Sequence, residues 1–165
     1  MKGVPLAMRE IVHFPNKILT TPTNKVLEID KDISDLISDM KYIANQDNIL
    51  GVAANQVGES KSILIAQGIA YINPEIIDKS KARFTNTEGC LSFPGLEVKV
   101  RRSKNILVRY LTEEGEIKTE QLHDLAAIVV QHEIDHLLGL TFLDKLLPYK
   151  KRILWKRYRK SLGLK

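Results

Sequence analysis

The chain is short of cysteine, of acidic residues near its end and of long apolar runs, and each shortage excludes something. A single cysteine among 165 residues, Cys90, leaves no internal disulfide to form and fits a reducing compartment such as the cytoplasm. No stretch approaches the roughly 18 consecutive apolar residues of a membrane-spanning helix, so no membrane role is expected. The opening segment MKGVPLAMRE has no apolar run followed by a small-residue cleavage site, so no secretory leader is expected. Repeats, low-complexity tracts and linkers are also missing, which predicts one domain over residues 1–165. Hydrophobic residues at 44% against 27% charged suffice for a packed core and argue against disorder.

The net charge of +5 divides unevenly. After Asp144 come nine basic residues and no acidic one, leaving 16 basic against 20 acidic residues, a net of −4, in residues 1–144. A mildly acidic body with a strongly basic tail points to an anionic partner for the tail. A solvated helix face is the plainer reading of the same charges.

Hydrophobic spacing locates the elements. Residues 1–29, with turn residues at Pro15-Asn16 and Thr21-Pro22-Thr23, read as an irregular N-terminal wrap. Ile33, Leu36, Ile37 and Met40 predict a helix over about Lys31–Asn45, capped by Asp30 or Asp32. The segment from Gly51 to Gly58 reads as too small and glycine-flanked for an ordinary core element. Strands are predicted at Ser62–Ala66, Tyr71–Ile77, Leu96–Arg102, Asn105–Leu111 and Ile117–Leu122, the last two joined by a hairpin turn at Glu113-Glu114-Gly115. A second helix runs from an Asp124 N-cap to Gly139 as C′ residue, with Leu125, Ile128, Val129, His132 and His136 on its inward face. A final basic helix over about 149–162 places Leu154, Tyr158 and Leu162 on one side. The order of elements predicts a single α+β domain: short antiparallel sheets packed around a central helix, with a C-terminal helix.

That central helix carries His132-Glu133-Ile134-Asp135-His136, an H-E-x-x-H pattern. Residues one turn apart put both imidazoles on one face, where they can share a metal, and Glu133 on the adjoining flank is placed to exchange a proton with water there. A catalytic metal needs a third protein ligand. No histidine follows His136 and no glutamate follows Glu133; Asp144, the one downstream carboxylate, reads as a surface or capping residue. His13 and His123 are candidates in unremarkable contexts. Cys90, in Glu88-Gly89-Cys90-Leu91-Ser92, is favoured, since thiolate suits iron or zinc and the cysteine has no other assigned role.

Three motifs together resemble the peptide deformylases. Ile49 to Gln56 matches G-φ-G-φ-A-A-x-Q except at its first glycine, Glu88 to Ser92 matches E-G-C-φ-S, and Gln131 to His136 matches Q-H-E-x-D-H. Ile72-Asn73-Pro74-Glu75 and Arg102 also fall at family positions, and the match is collinear over nearly the whole chain. The resemblance implies one Fe2+ per chain on Cys90, His132 and His136, replaceable by Zn2+, Ni2+ or Co2+. It implies that metal-bound water attacks the formyl carbon of a nascent N-formylmethionyl peptide with Glu133 as base and then acid. The Gln56 amide and the Leu91 backbone N–H would hold the oxyanion. Leu50, Gly51, Leu125, Ile128 and Val129 would receive the methionine, Gly51 exposing backbone to the peptide, and Glu88 would pair with Arg102, or with Arg101 in its place, to brace the cysteine loop. A cytoplasmic monomer is expected, and the charge of the basic tail suggests contact with ribosomal RNA, where formylated chains emerge.

Ile49 departs from the family glycine, which predicts a narrower groove beyond the methionine. The connection from Gln56 to Ile72-Asn73-Pro74 is also short. Two rivals follow: a small zinc peptidase with a non-cysteine third ligand, and a catalytically weakened deformylase-like protein that binds through its basic tail.

Overall fold

Asp30 starts the first helix, α1 (Lys31–Ala44), by accepting a hydrogen bond from the Ile33 amide at 2.9 Å, and Ile33, Leu36, Ile37 and Met40 form its buried stripe. The structure is a computed structural model that describes residues 9–46 and 48–164. The leader reading, the start of the N-terminal wrap and Lys165 of the basic tail fall at least partly outside the described residues.

Seven strands follow α1: β1 (Gly51–Ala53), β2 (Ile63–Ala66), β3 (Ile69–Lys79), β4 (Arg83–Glu88), β5 (Val98–Ser103), β6 (Asn105–Leu111) and β7 (Ile117–His123). Antiparallel pairing arranges them as a five-stranded sheet, β1-β2-β3-β6-β7, and a separate β4-β5 ribbon. Alternation along β2 and β3 sorts side chains between two layers. Ile63, Ile65, Ala70 and Ile72 meet α1, whereas Leu64, Ala66 and Tyr71 meet the second helix, α2 (Asp124–Leu137). Asn73 bonds both the amide and the carbonyl of Val26 at 2.8 Å and so sews the N-terminal wrap to β3.

Helix α2 lies between the two sheets. Its far side meets β5, where Gln131 clasps the Ser103 backbone by accepting from its amide at 3.2 Å and donating to its carbonyl at 2.9 Å. Every residue from Ala127 to Leu137 is therefore buried. The N-cap is His123, not Asp124: His123 is still paired to Asn105 in the ladder and stays extended, so the helix starts directly from the strand. At the other end Gly139, at φ 72°, closes the helix as expected, and a Cβ there would come within 2.8 Å of the backbone of Thr21 and Pro22.

Two further expectations need correction. Most of the Gly51–Gly58 segment is core: Val52 to Val57 are all buried as β1 and a 3-10 turn over Ala54–Val57, with Val52, Ala54 and Val57 packed against α1 and Ala53 against α2. Strand β4 was not foreseen, because Arg83-Phe84-Thr85-Asn86-Thr87 is largely solvated and lacks apolar alternation.

After a 3-10 turn over Phe142–Lys145, the chain ends in α3 (Pro148–Ser161). It docks through Leu154, Trp155 and Tyr158, while Leu162 is exposed beyond its last turn. Trp155 lies 4.3 Å from the Phe14 ring, and Phe14 stacks on Phe93 at 5.4 Å. Phe93 is three residues from Cys90 and bonded to it by Phe93 N–H donating to Cys90 C=O at 3.0 Å. The basic helix thus buttresses the cysteine loop. Among the described residues no helix is long and apolar enough to cross a membrane.

Candidate metal centre

Two elements bring the donors together. Helix α2 presents His132 and His136 one turn apart with their Nε2 atoms 3.2 Å from each other, and the loop after β4 brings Cys90 Sγ to 3.2 Å from His136 Nε2. All three donor atoms lie within 4.8 Å of one another, the one such cluster among the described residues. Nitrogen and sulfur donors about 2.0–2.3 Å from a tetrahedral ion stand roughly 3.3–3.6 Å apart, so the spacing fits one metal. Burial disfavours a charged His132, but the Cys90 sulfur and the Glu88 carboxylate outweigh burial and push it up to about 10. Burial, with His132 and Arg102 nearby, holds His136 well below the usual imidazole range.

Behind the ligands stands a line of buried charges. His132 Nδ1 is 2.8 Å from Glu88 Oε2; Arg102 forks onto Glu88 at 2.5 and 2.9 Å and reaches Asp135 at 2.7 Å. Burial alone would raise the Glu88 carboxyl, but bonds from His132 and Arg102 hold it below its ordinary value. Fixing the second ring nitrogen of a ligating histidine sets its tautomer and orientation. Arg102 is buried and Arg101 exposed, which decides between them.

Glu133 projects beside the ligands. Burial pushes its carboxyl up to about 7, and its Oε2 is buried without a hydrogen-bond partner. A carboxyl near neutrality suits both taking and returning a proton. Gly51 faces it closely: a Cβ at residue 51 would lie 2.9 Å from Glu133 Oε1. Gln56 accepts from the Ala53 amide at 2.9 Å, which aims Nε2 toward Cys90 Sγ at 3.4 Å and Ser92 Oγ at 3.3 Å.

These groups open on a cavity of about 530 Å³. Leu50, Gly51, Leu125, Ile128 and Val129 all line it with Gln56, Cys90, Leu91, His132 and Glu133. Ile128 and Val129 are buried at its base, whereas Leu50 and Leu125 are about half exposed (48% and 45%) at its mouth, so Leu125 does not face the core. Ile49 also lines the cavity. Strand β1, at the edge of its sheet, borders one side, and the end of β4 borders the other.

His13 is at the rim and His123 pairs with Asn105, so neither joins the donor cluster; Asp144 bonds Thr141 and Lys151, a capping role. Asp135, Ser92, Asn86 and Thr87 were missed. Two of them carry a sequence signal: Asp135 is an acidic residue one turn after His132 within the metal-helix motif, and Ser92 closes the E-G-C-φ-S motif.

The polypeptide deformylase family model matches residues 8–152. The peptide deformylase of Aquifex aeolicus (strain VF5) is 40% identical over 165 residues, covering 94% of this chain and 97% of that one. Among solved structures, a Plasmodium falciparum peptide deformylase bound to an inhibitor matches with a TM-score of 0.86 at 30% identity, covering 93% of this chain and 99% of that one. An Ehrlichia chaffeensis peptide deformylase in complex with actinonin gives 0.86 at 32% identity, covering 94% and 98%.

Proposed function

Because the chain belongs to the polypeptide deformylase family, and is thus a metalloenzyme that removes the N-formyl group from nascent peptides, we propose a role for each residue of its site. The observation that carries the assignment is the convergence of Cys90 Sγ with the Nε2 atoms of His132 and His136 beside a buried, unpartnered Glu133 oxygen. Cys90, His132 and His136 hold the metal, and their mixed thiolate and imidazole donors suit Fe2+, with Zn2+, Ni2+ or Co2+ able to substitute. The metal supplies Lewis acidity, which acidifies water and polarises the formyl oxygen.

Glu133 accepts the proton of the attacking water and delivers it to the departing amine. Gln56 Nε2 and the Leu91 backbone N–H donate to the oxygen of the tetrahedral intermediate. Ile128 and Val129 seat the methionine side chain, with Leu50 and Leu125 closing over it, and Gly51 lets the peptide backbone approach β1. Ile49 adds a branched side chain to the groove wall beyond the methionine. Glu88 and Arg102 hold His132 in its ligating orientation.

The test is formate release from formyl-Met-Ala-Ser by anaerobically prepared, iron-loaded protein, with Glu133→Ala alongside. Rapid release that falls about 10²–10⁴-fold in the variant supports the assigned base. Full activity in the variant removes it. Neither rival reading is favoured: Asp144 is engaged elsewhere and leaves a peptidase without its third ligand, and the complete donor set speaks against a purely binding role.

The protein works as a cytoplasmic monomer, and α3 brings it to ribosomal RNA. Lys150, Arg152, Lys156, Arg157 and Lys160 are exposed along α3, and phosphate contacts of this kind weaken steeply with salt. Because α3 supports the cysteine loop, deleting it would confound docking with damage to the site. Lys156→Glu combined with Arg157→Glu should instead abolish salt-sensitive co-sedimentation with ribosomes; unchanged co-sedimentation sinks the idea.

A further inference from the structure

One charged side chain at the back of the metal centre is unused by the mechanism above. Lys145 Nζ lies 2.8 Å from Asp135 Oδ1, while Asp135 Oδ2 accepts from Arg102 Nη1 at 2.7 Å. From Arg102 the line continues through its fork on Glu88 to His132 Nδ1. Arg102, Glu88 and Asp135 are buried, whereas Lys145 retains 32% of its side-chain exposure, so the line runs from the surface to a metal ligand. The turn that carries Lys145 is itself fixed, because the neighbouring Asp144 faces the other way onto Thr141 and Lys151.

Among the four side chains Glu88, Arg102, Asp135 and Lys145 the formal charges cancel, and the lysine supplies the second cation. Glu88 and Asp135 are two buried carboxylates sharing one guanidinium. Without a second cation Asp135 competes for Arg102, and the fork on Glu88 is the geometry that gives way. Glu88 then holds the His132 imidazole less well.

We propose that Lys145 is a positioning residue for deformylation, which neutralises Asp135 so that Arg102 stays forked on Glu88 and Glu88 keeps His132 turned toward the metal. The inference rests on the reading of Cys90, His132 and His136 as ligands. Metal binding and formate release by the unaltered protein check that reading separately.

The test compares full-length Lys145→Met and Lys145→Arg with the unaltered chain in three measurements: metal release to a chelator, the visible spectrum of the cobalt-loaded protein, and kcat and KM. Lys145→Met should release metal ~10-fold faster, shift the cobalt bands and lose ~5- to 10-fold in kcat with KM unchanged. Lys145→Arg should restore all three. If Lys145→Met does not fold, Lys145→Gln, which keeps a hydrogen-bond donor but no charge, carries the same expectations. A variant with reduced thermal stability but unaltered metal release and cobalt spectrum would make the pair a merely structural clamp and overturn the proposal. So would failure of Lys145→Arg to rescue.

Discussion

Replacing Gly51 with alanine tests whether glycine stands there to make room for the Glu133 carboxylate, the proposed base. The new methyl would lie 2.9 Å from Glu133 Oε1, 2.9 Å from Val129 Cγ1 and 3.0 Å from Glu133 Cγ. Ordinary contact between carbon atoms needs about 3.5–4.0 Å, so the neighbours must retreat by roughly half an ångström or more. Gly51 is not among the glycines with positive φ, so the effect is one of crowding and not of backbone strain. Val129 and Glu133 are both buried, but valine has a single, stiff side-chain torsion and glutamate has three, so the Glu133 side chain takes up most of the movement. Overpacking of this kind costs about 1–3 kcal/mol of stability. A catalytic group displaced by ~1 Å can lose ~10²-fold in rate, so half of that displacement should cost about tenfold or more in kcat. Formate-release kinetics and urea denaturation on the same preparation separate the two effects. A Gly51→Ala variant with unaltered kcat, whatever its stability, would refute the reasoning, because the methyl would then have been accommodated without disturbing Glu133.

Arg102→Met should destabilise the fold by about 3–5 kcal/mol in denaturant titration, since it leaves Glu88 and Asp135 buried without their shared cation. Asp144→Asn should cost about 1 kcal/mol near neutral pH by weakening the cap on Thr141 and removing the charge that Lys151 pairs with. Burial raises the Asp144 carboxyl, but Lys151 and Thr141 outweigh it and hold it below its usual range. The stabilisation is therefore complete above the unfolded value of about 3.9 and is lost as pH falls through the lower native value, so stability curves of the two proteins should converge in acid. Trp155→Ala, which removes a half-buried ring resting 4.3 Å from Phe14, should cost about 2–3 kcal/mol and speed loss of metal from the cysteine side. Chelator-release kinetics would show the second effect.

The parts of the molecule that could be read from sequence are those whose chemistry depends on local spacing. His132 and His136 are one turn apart, and Asp30, Ile33, Leu36, Ile37 and Met40 lay out α1 residue by residue. The hairpin of β6 and β7 follows from its turn and alternation. What could not be read depends on distant partners. The pairing of Arg102 with Glu88 came from the resemblance and not from local spacing, and its second partner, Asp135, 33 residues later, had no counterpart in the sequence reading. Gly51 to Val57 look too small for a core element until both helices are in place: Gly51 and Ala53 meet α2, where smallness is what the contact requires, and Val52, Ala54 and Val57 meet α1. Asp124 has the chemistry of a cap, but strand pairing of its neighbour with Asn105 fixes where the helix begins. Strand β4 exists because β5 is beside it, and its polar sequence gives no sign of that.

The eleven-residue buried run of α2 has a consequence for how such a protein can diverge. Most helices have an outer stripe on which substitutions are nearly free. From Ala127 to Leu137 there is none, since successive positions answer to the sheet, to β5, to the ion pairs or to the metal. Substitution is therefore costly along this whole stretch, whereas Asn48, Ile49, Asn86 and Thr87 line the cavity from outside it. Those four positions belong neither to the buried ion pairs nor to the Cys90-His132-His136 cluster, so replacing them leaves that framework its partners.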